Sequence, residues 1–174
     1  MLRIHDPKPT MHFYIELMGM RTVFVQNTGP FTVYFLGYPQ TPTHRADPAA
    51  FSHDTMAVMS NTLGLLELVH YHGSEAQKES IIVPGSRPPH LGFNHLGFSV
   101  PDVGAAVGRL RTSGVKVVKD VNEGPNDVIP FTKWEHNDMG LANGALDPKF
   151  QTILSQIAFV EDPVSRQPID SDKS

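Results

Sequence analysis

The chain has 174 residues, 40% hydrophobic and 18% charged, with a formal net charge of -4. That balance is globular, and the lack of any Lys/Arg cluster argues against nucleic acid as a partner. The absence of cysteine excludes disulfides, thiolate metal sites and a cysteine nucleophile. No apolar run reaches the roughly 18–20 residues of a membrane span, and Met1 to Asp6 lacks the apolar centre of a signal peptide. A soluble cytoplasmic protein with no membrane partner is the expectation.

Leu2 to His5 reads as a short strand, and Asp6-Pro7 as a helix start, because proline fits the first helical turn. Met11, Phe13, Tyr14, Leu17 and Met18 recur at roughly helical spacing, and Gly19 stops the helix. Arg21–Gln26 and Phe31–Gly37 are β-rich runs around Asn27-Thr28-Gly29-Pro30, hence a hairpin. Residues 39–61 form a polar, proline-bearing connection with one helical turn at Asp47–Phe51. Leu63–His72 is the next strand, followed by loop to Leu91.

Phe93–Pro101 reads as a strand with Leu96, Phe98 and Val100 on the core face and Phe93, His95, Gly97 and Ser99 on the other. Asp102 caps a helix over Val103–Leu110, and Gly114 ends it. Val115–Val121 is a strand. Thr132 and Asp147-Pro148 start two short helices, Gln156–Val160 is a strand, and residues 164–174 are a polar tail. The pattern strand, Asp, helix, Gly, strand thus occurs twice, with Asp-to-Gly spacings of 13 and 12 residues. Two similar packed modules follow.

Glu67 lies within the apolar run Gly64 to Val69. A carboxylate there either faces solvent on an open sheet face or is paired or bound to metal. His95 is either a hydrogen-bonded surface residue or a metal ligand, and its small face-mates Gly97 and Ser99 suit a cleft floor. His70 falls on the strand face opposite Glu67 and reads as structural, and His72 as exposed. His5, His12, His44, His53 and His136 lack metal-ligand spacing, and His44-Arg45 reads as facing water. Arg3 is either an ordinary solvated arginine or, on the face that the repeat equates with that of His95, a holder of an anionic substrate.

The runs Met1-Leu2-Arg3-Ile4-His5-Asp6-Pro7, Leu66-Glu67-Leu68-Val69-His70, and Gly92-Phe93-Asn94-His95-Leu96-Gly97 with Val100-Pro101-Asp102 occur in that order. Together with Tyr34-Phe35-Leu36-Gly37-Tyr38, they resemble glyoxalase I, the lactoylglutathione lyase of the vicinal-oxygen-chelate superfamily. The resemblance covers Met1 to about Val118 and again Ile157 to Pro163. It implies an α+β fold of paired βαβββ modules: module one 1–90, an incomplete module two 91–163 and a tail 164–174, all in one domain of 1–174. It implies a divalent metal, zinc or alternatively nickel, with Glu67 and His95 as ligands and Glu67 as catalytic carboxylate. Arg3 matches a residue that binds the glutathione part of the substrate. The implied reaction converts the hemithioacetal of methylglyoxal and glutathione, the co-substrate, to S-lactoylglutathione, in a homodimer.

The sequence departs from the family pattern at both ends of the metal site. The family's first ligand, a Gln or His, falls two residues before Met1. The final strand pattern breaks after Asp162-Pro163 into Val164-Ser165-Arg166, so the second Glu, a ligand and the usual base, has no counterpart. Val-Ser is also what the splice-donor sequence GTAAGT encodes, which suggests a truncated or misread gene product. Tyr71 and Leu91 stand where the family has an Asn and an Arg that bind glutathione, and residues 122–155 exceed the usual connection. Arg87 is a candidate replacement carboxylate clamp. Weak metal binding is therefore one expectation, and a non-catalytic binding domain for a small molecule or a partner is the alternative. A dioxygenase needs a second His that is not in place.

Overall fold

Alternating side chains on four strands organise the first half of the chain. The computed structural model describes residues 1–77 and 82–163. The expected tail, 164–174, lies outside the described residues. The chain divides into two units, one running to Ile82 and one starting at Val83.

The first unit runs β1 (Leu2–Ile4), α1 (Pro7–Met11, continuing as π-helical turns over His12–Leu17), β2 (Arg21–Asn27), β3 (Phe31–Gly37), α2 (Pro42–Ala46), α3 (Pro48–Ala57) and β4 (Leu66–Tyr71). The strands form one sheet in the order β1-β4-β3-β2. β1 pairs parallel to β4, with Leu2 opposite Leu68 and Ile4 opposite His70. β3 pairs antiparallel to both β4 and β2. One face carries Ile4, Leu36, Leu66 and Leu68, all buried, and the core also buries Phe13, Tyr14, Met20 and Phe51. Each fully buried residue of this size contributes roughly 1.5–3 kcal/mol relative to leaving it in water.

The helix of this unit starts because the Asp6 carboxylate accepts the Lys8 N–H at 2.8 Å. It stops at Gly19, whose φ of +80° suits a residue without Cβ. Residues 39–61 are more helical than expected. Thr41 and Asp47 cap two consecutive helices, and Phe51 and Thr55 on α3 are buried one helical turn apart. The apolar spacing alone did not reveal this, because most other positions of α3 face water.

The second unit runs β5 (Ser86–Arg87), β6 (His90–Leu91), α4 (Val103–Thr112), β7 (Val117–Lys119), a π-helical turn at Trp134–Asp138, α5 (Pro148–Ser155) and β8 (Phe159–Val160). β5 pairs with β6, and β7 with β8, in two separate two-stranded sheets. Asp102 caps α4 through the Ala105 N–H at 2.8 Å, and Gly114, again at φ +80°, follows its end. Asp147 caps α5 through the Lys149 and Phe150 N–H groups.

The expected strand over Phe93–Pro101 is not formed: the segment joins no sheet among the described residues, and Leu96 is 37% exposed. The repeat explains this. In the first unit the strand ahead of the helix pairs with the last strand of its module, β4. In the second unit β7 and β8 occupy the places of β2 and β3, and among the described residues nothing occupies that of β4. The connection between β7 and β8 is fastened at its base by Lys119, which is 1% exposed. Its Nζ donates to the carbonyls of Asp120, Leu154 and Ile157 at 2.9, 2.8 and 2.9 Å. Burial pulls this ammonium below the usual lysine value.

Candidate active site

Register places the first candidates on one sheet face. Glu67 stands opposite Phe35 on β3, and Phe35 opposite Phe24 on β2. Val69 stands between Arg3 on β1 and Val33 on β3. Paired residues share a face, and residues two apart on a strand do as well. Arg3, Glu67, Val69 and Tyr71 therefore line one side of the sheet with Phe31, Val33 and Phe35, while His70 belongs to the other. The sequence reading of His70 as lying on the face opposite Glu67 agrees with this register.

The Glu67 carboxylate is half-buried, and no hydrogen bond or ion pair to it occurs among the described residues. Its surroundings are aromatic: Phe24 and Phe35 stack at 4.7 Å between centroids, and Phe31 meets Tyr71 at 5.6 Å. Arg3 is exposed and sits over the Tyr71 ring, 5.4 Å from Cζ to centroid, a cation–π contact that leaves its N–H groups open to an anion. This aromatic floor was not singled out from the sequence. Its one local signal was Phe31 and Phe35, four residues apart on the same face of β3.

His70 is buried, with Nε2 2.7 Å from Glu75 Oε2, which bears out its structural reading. The backbone N–H of Glu75 itself, and next the His70 side chain, hold the Glu75 carboxyl below its ordinary value. His72 is exposed as expected and lies 2.8 Å from Thr32 Oγ1. His44 departs from its reading. Its side chain is only 13% exposed, its ring meets Phe51 at 5.6 Å, and its Nε2 lies 3.3 Å from Asp54. The burial of Phe51 draws that ring inward.

In the second unit His95 is exposed. Its Nδ1 lies 3.1 Å from Asn94 Oδ1, and its ring meets Phe159 edge-on at 5.6 Å. Arg87, read as a candidate substrate clamp, instead forms an ion pair with Glu161. Glu161 was not singled out in the sequence, although a glutamate closing the strand Phe159–Val160 was a visible signal.

A zinc or nickel ion asks for imidazole and carboxylate donors, and His95 and Glu67 are of that type. The half-buried carboxylate of Glu67, without a partner among the described residues, fits a cation. No group of three or more His, Cys, Asp or Glu able to hold a metal ion occurs among the described residues. The buried His5 Nδ1 also has no hydrogen-bond partner among the described residues.

A mixed sheet with a parallel β1–β4 pair, an Asp-capped helix between its first two strands and a partial second copy defines the class. The chain belongs to the Glyoxalase/Bleomycin resistance protein/Dioxygenase superfamily, whose family pattern matches residues 1–133. Within it, the relatives are glyoxalase I proteins. The chain is 34% identical over 135 residues to "Glyoxalase I" of Saccharomyces cerevisiae, covering 75% of this chain and 39% of the yeast protein. It is 35% identical over 130 residues to "Lactoylglutathione lyase" of Pseudomonas aeruginosa, covering 74% of this chain and 70% of the bacterial protein. The fold is also similar to that of a V278E glyoxalase I mutant from Zea mays, with a TM-score of 0.53 and 20% identity, over 95% of this chain and 41% of the maize chain. The chain thus spans well under half of the yeast and maize proteins. Among the described residues no helix is long and apolar enough to cross a membrane.

Proposed function

We propose that this chain is a metal-dependent lactoylglutathione lyase acting in the cytoplasm as a homodimer, with the hemithioacetal of methylglyoxal and glutathione as substrate. The observation that carries the reading is the Glu67 carboxylate, half-buried without a partner among the described residues on a sheet face that it shares with Arg3. The two lyase relatives above support the same chemistry.

Glu67 and His95 are the residues that would hold a divalent metal, zinc or nickel. Such an ion supplies Lewis acidity toward the negative charge that develops on a substrate oxygen. Glu67 moves the proton: its carboxylate takes the hydrogen from the carbon bearing sulfur and returns it to the neighbouring carbonyl carbon. Arg3 binds a carboxylate of the glutathione part through its guanidinium. The Phe24–Phe35 stack beside Glu67 limits water at that carboxylate. Two donors are fewer than a full coordination sphere, so this reading requires further ligands beyond Glu67 and His95.

The shortage of gathered donors also favours a second reading, a non-catalytic glyoxalase-fold domain that binds a small molecule or a partner. One experiment separates the two. Lyase turnover of the methylglyoxal–glutathione adduct is measured with Zn²⁺ or Ni²⁺ added, alongside binding of an S-alkyl glutathione by calorimetry. The enzyme reading expects metal-dependent turnover and a loss of about 10²–10⁴-fold in kcat for Glu67→Gln. Absence of turnover with both metals, together with S-alkyl glutathione binding indifferent to them, establishes the binding-domain reading instead.

A further inference from the structure

His95 lies in a segment that joins no sheet among the described residues, so strand pairing does not account for how its imidazole is held. The second unit supplies three other contacts, and they converge. The first is a close backbone approach at Gly85. The Gly92 N–H donates to the Gly85 carbonyl at 2.9 Å. A Cβ on Gly85 would stand 2.4 Å from Phe93 O and 2.6 Å from Phe93 N, so only glycine lets the two backbones pack this closely.

The second contact is ionic. Arg87, opposite His90 in the β5–β6 hairpin, donates from Nη2 to Glu161 Oε1. The Glu161 side chain is 10% exposed, and its other oxygen lies 3.0 Å from Lys116 Nζ. The Glu161 N–H also donates to the Lys116 carbonyl at 2.9 Å. A carboxylate so enclosed, held by cations from two separate segments and by its own backbone, is fixed in a way that an exposed ion pair is not. The third contact is aromatic: Phe159, two residues before Glu161, presents its ring to His95 at 5.6 Å and 84°. The hairpin leading into Phe93–His95 and the ring that His95 meets are thus both fixed to β8 and the residue that closes it.

We infer that the Arg87–Glu161 ion pair, together with Phe159, is a positioning device for the His95 imidazole. This rests on the reading of His95 as a metal ligand, and it gives Arg87 a task other than clamping substrate. Arg87 and Glu161 are positioning residues that act through the hairpin, and Phe159 acts directly on the ring. Loss of a contact that orients a metal-ligating histidine typically costs about 10–100-fold in metal affinity.

The test uses the whole chain and two readouts. The imidazole resonances of His95 are recorded by NMR in metal-free protein at one fixed pH, and Zn²⁺ affinity is measured by calorimetry. Arg87→Met and Glu161→Gln are expected to move the His95 resonances and to weaken Zn²⁺ binding about 10–100-fold. Arg87→Lys, which keeps a cation for Glu161, restores both. Phe159→Leu moves the resonances by removing the ring current. Unchanged His95 resonances in both Arg87→Met and Glu161→Gln overturn the positioning role. Unchanged Zn²⁺ affinity in His95→Ala overturns the ligand reading beneath it, a result that the metal-free spectra distinguish from failure of the positioning role.

Discussion

The two units begin alike and finish differently. Each starts a helix at an aspartate, Asp6 or Asp102, with the same 2.8 Å cap, and each ends it beside a glycine at φ +80°. The stretch before the aspartate is a paired strand in the first unit, with Ile4 1% exposed, and an unassigned segment with Leu96 37% exposed in the second. Local sequence governs the cap and the stop, because those hydrogen bonds close within a few residues. It does not govern the strand, whose ladder and core face depend on a neighbour remote in the chain. β1 has β4 beside it. The segment at Phe93–Pro101 has no such neighbour among the described residues.

Core truncations on either side of that comparison carry the largest effect. Leu68→Ala, at a site 0% exposed on β4, should cost about 2–5 kcal/mol in urea unfolding. Leu96→Ala should cost under about 1 kcal/mol, because its side chain already meets water. Equal losses would mean that Leu96 is packed as firmly as Leu68, and the contrast would fail.

Lys119 sharpens the comparison next, since the second unit relies on a polar fastening where the first relies on sheet. Lys119→Met strips a donor from the carbonyls of Leu154 and Ile157 and should destabilise the chain by about 1–3 kcal/mol. Hydrogen exchange should place the loosening in α5. A uniform loss across the chain would argue against a local fastening.

The caps are expected to behave as equals. Asp6→Ala and Asp102→Ala should each cost about 1 kcal/mol, because the same carboxylate-to-N–H bond is lost in both. A large inequality would show that one helix is held mainly by its packing.

The smallest effect is acid sensitivity. Glu75 is held below its ordinary value by its own backbone N–H and by His70, and Asp120 by the Arg111 side chain and the Val121 N–H. A carboxyl lowered in the folded state contributes stability that is present above its unfolded value and is lost as the pH falls through the folded one. Both contributions should fade on acidification below the ordinary carboxylate range. Glu75→Gln and Asp120→Asn should each flatten the acid limb of the urea midpoint against pH, and an unaltered limb would remove these groups from the account.

Much of the candidate site was legible in residues. The apolar run around Glu67 marked a carboxylate that sequence alone left open between solvent and metal, and the alternation of β4 put His70 on the opposite face. What escaped was the company these residues keep. Arg87 read from the sequence as a candidate carboxylate clamp, and Glu161, its partner, lies 74 residues away. Phe24, Phe35, Phe31 and Tyr71 became one floor only through the β2–β3–β4 register.

By itself, the sequence determined the starts and stops of the helices that follow Asp6 and Asp102, the β2–β3 hairpin, the face of Glu67 and the twofold repeat. These depend on interactions that close over a few residues or on a strict alternation. Only the tertiary structure decided that residues 39–61 form helices around Phe51, that Lys119 fastens the base of a long connection, and that Phe93–Pro101 lies outside any sheet of the described residues. Each of those outcomes depends on which distant groups arrive to bury a ring, accept a proton or supply a ladder, and such groups are spread too far along the chain for local pattern to reveal.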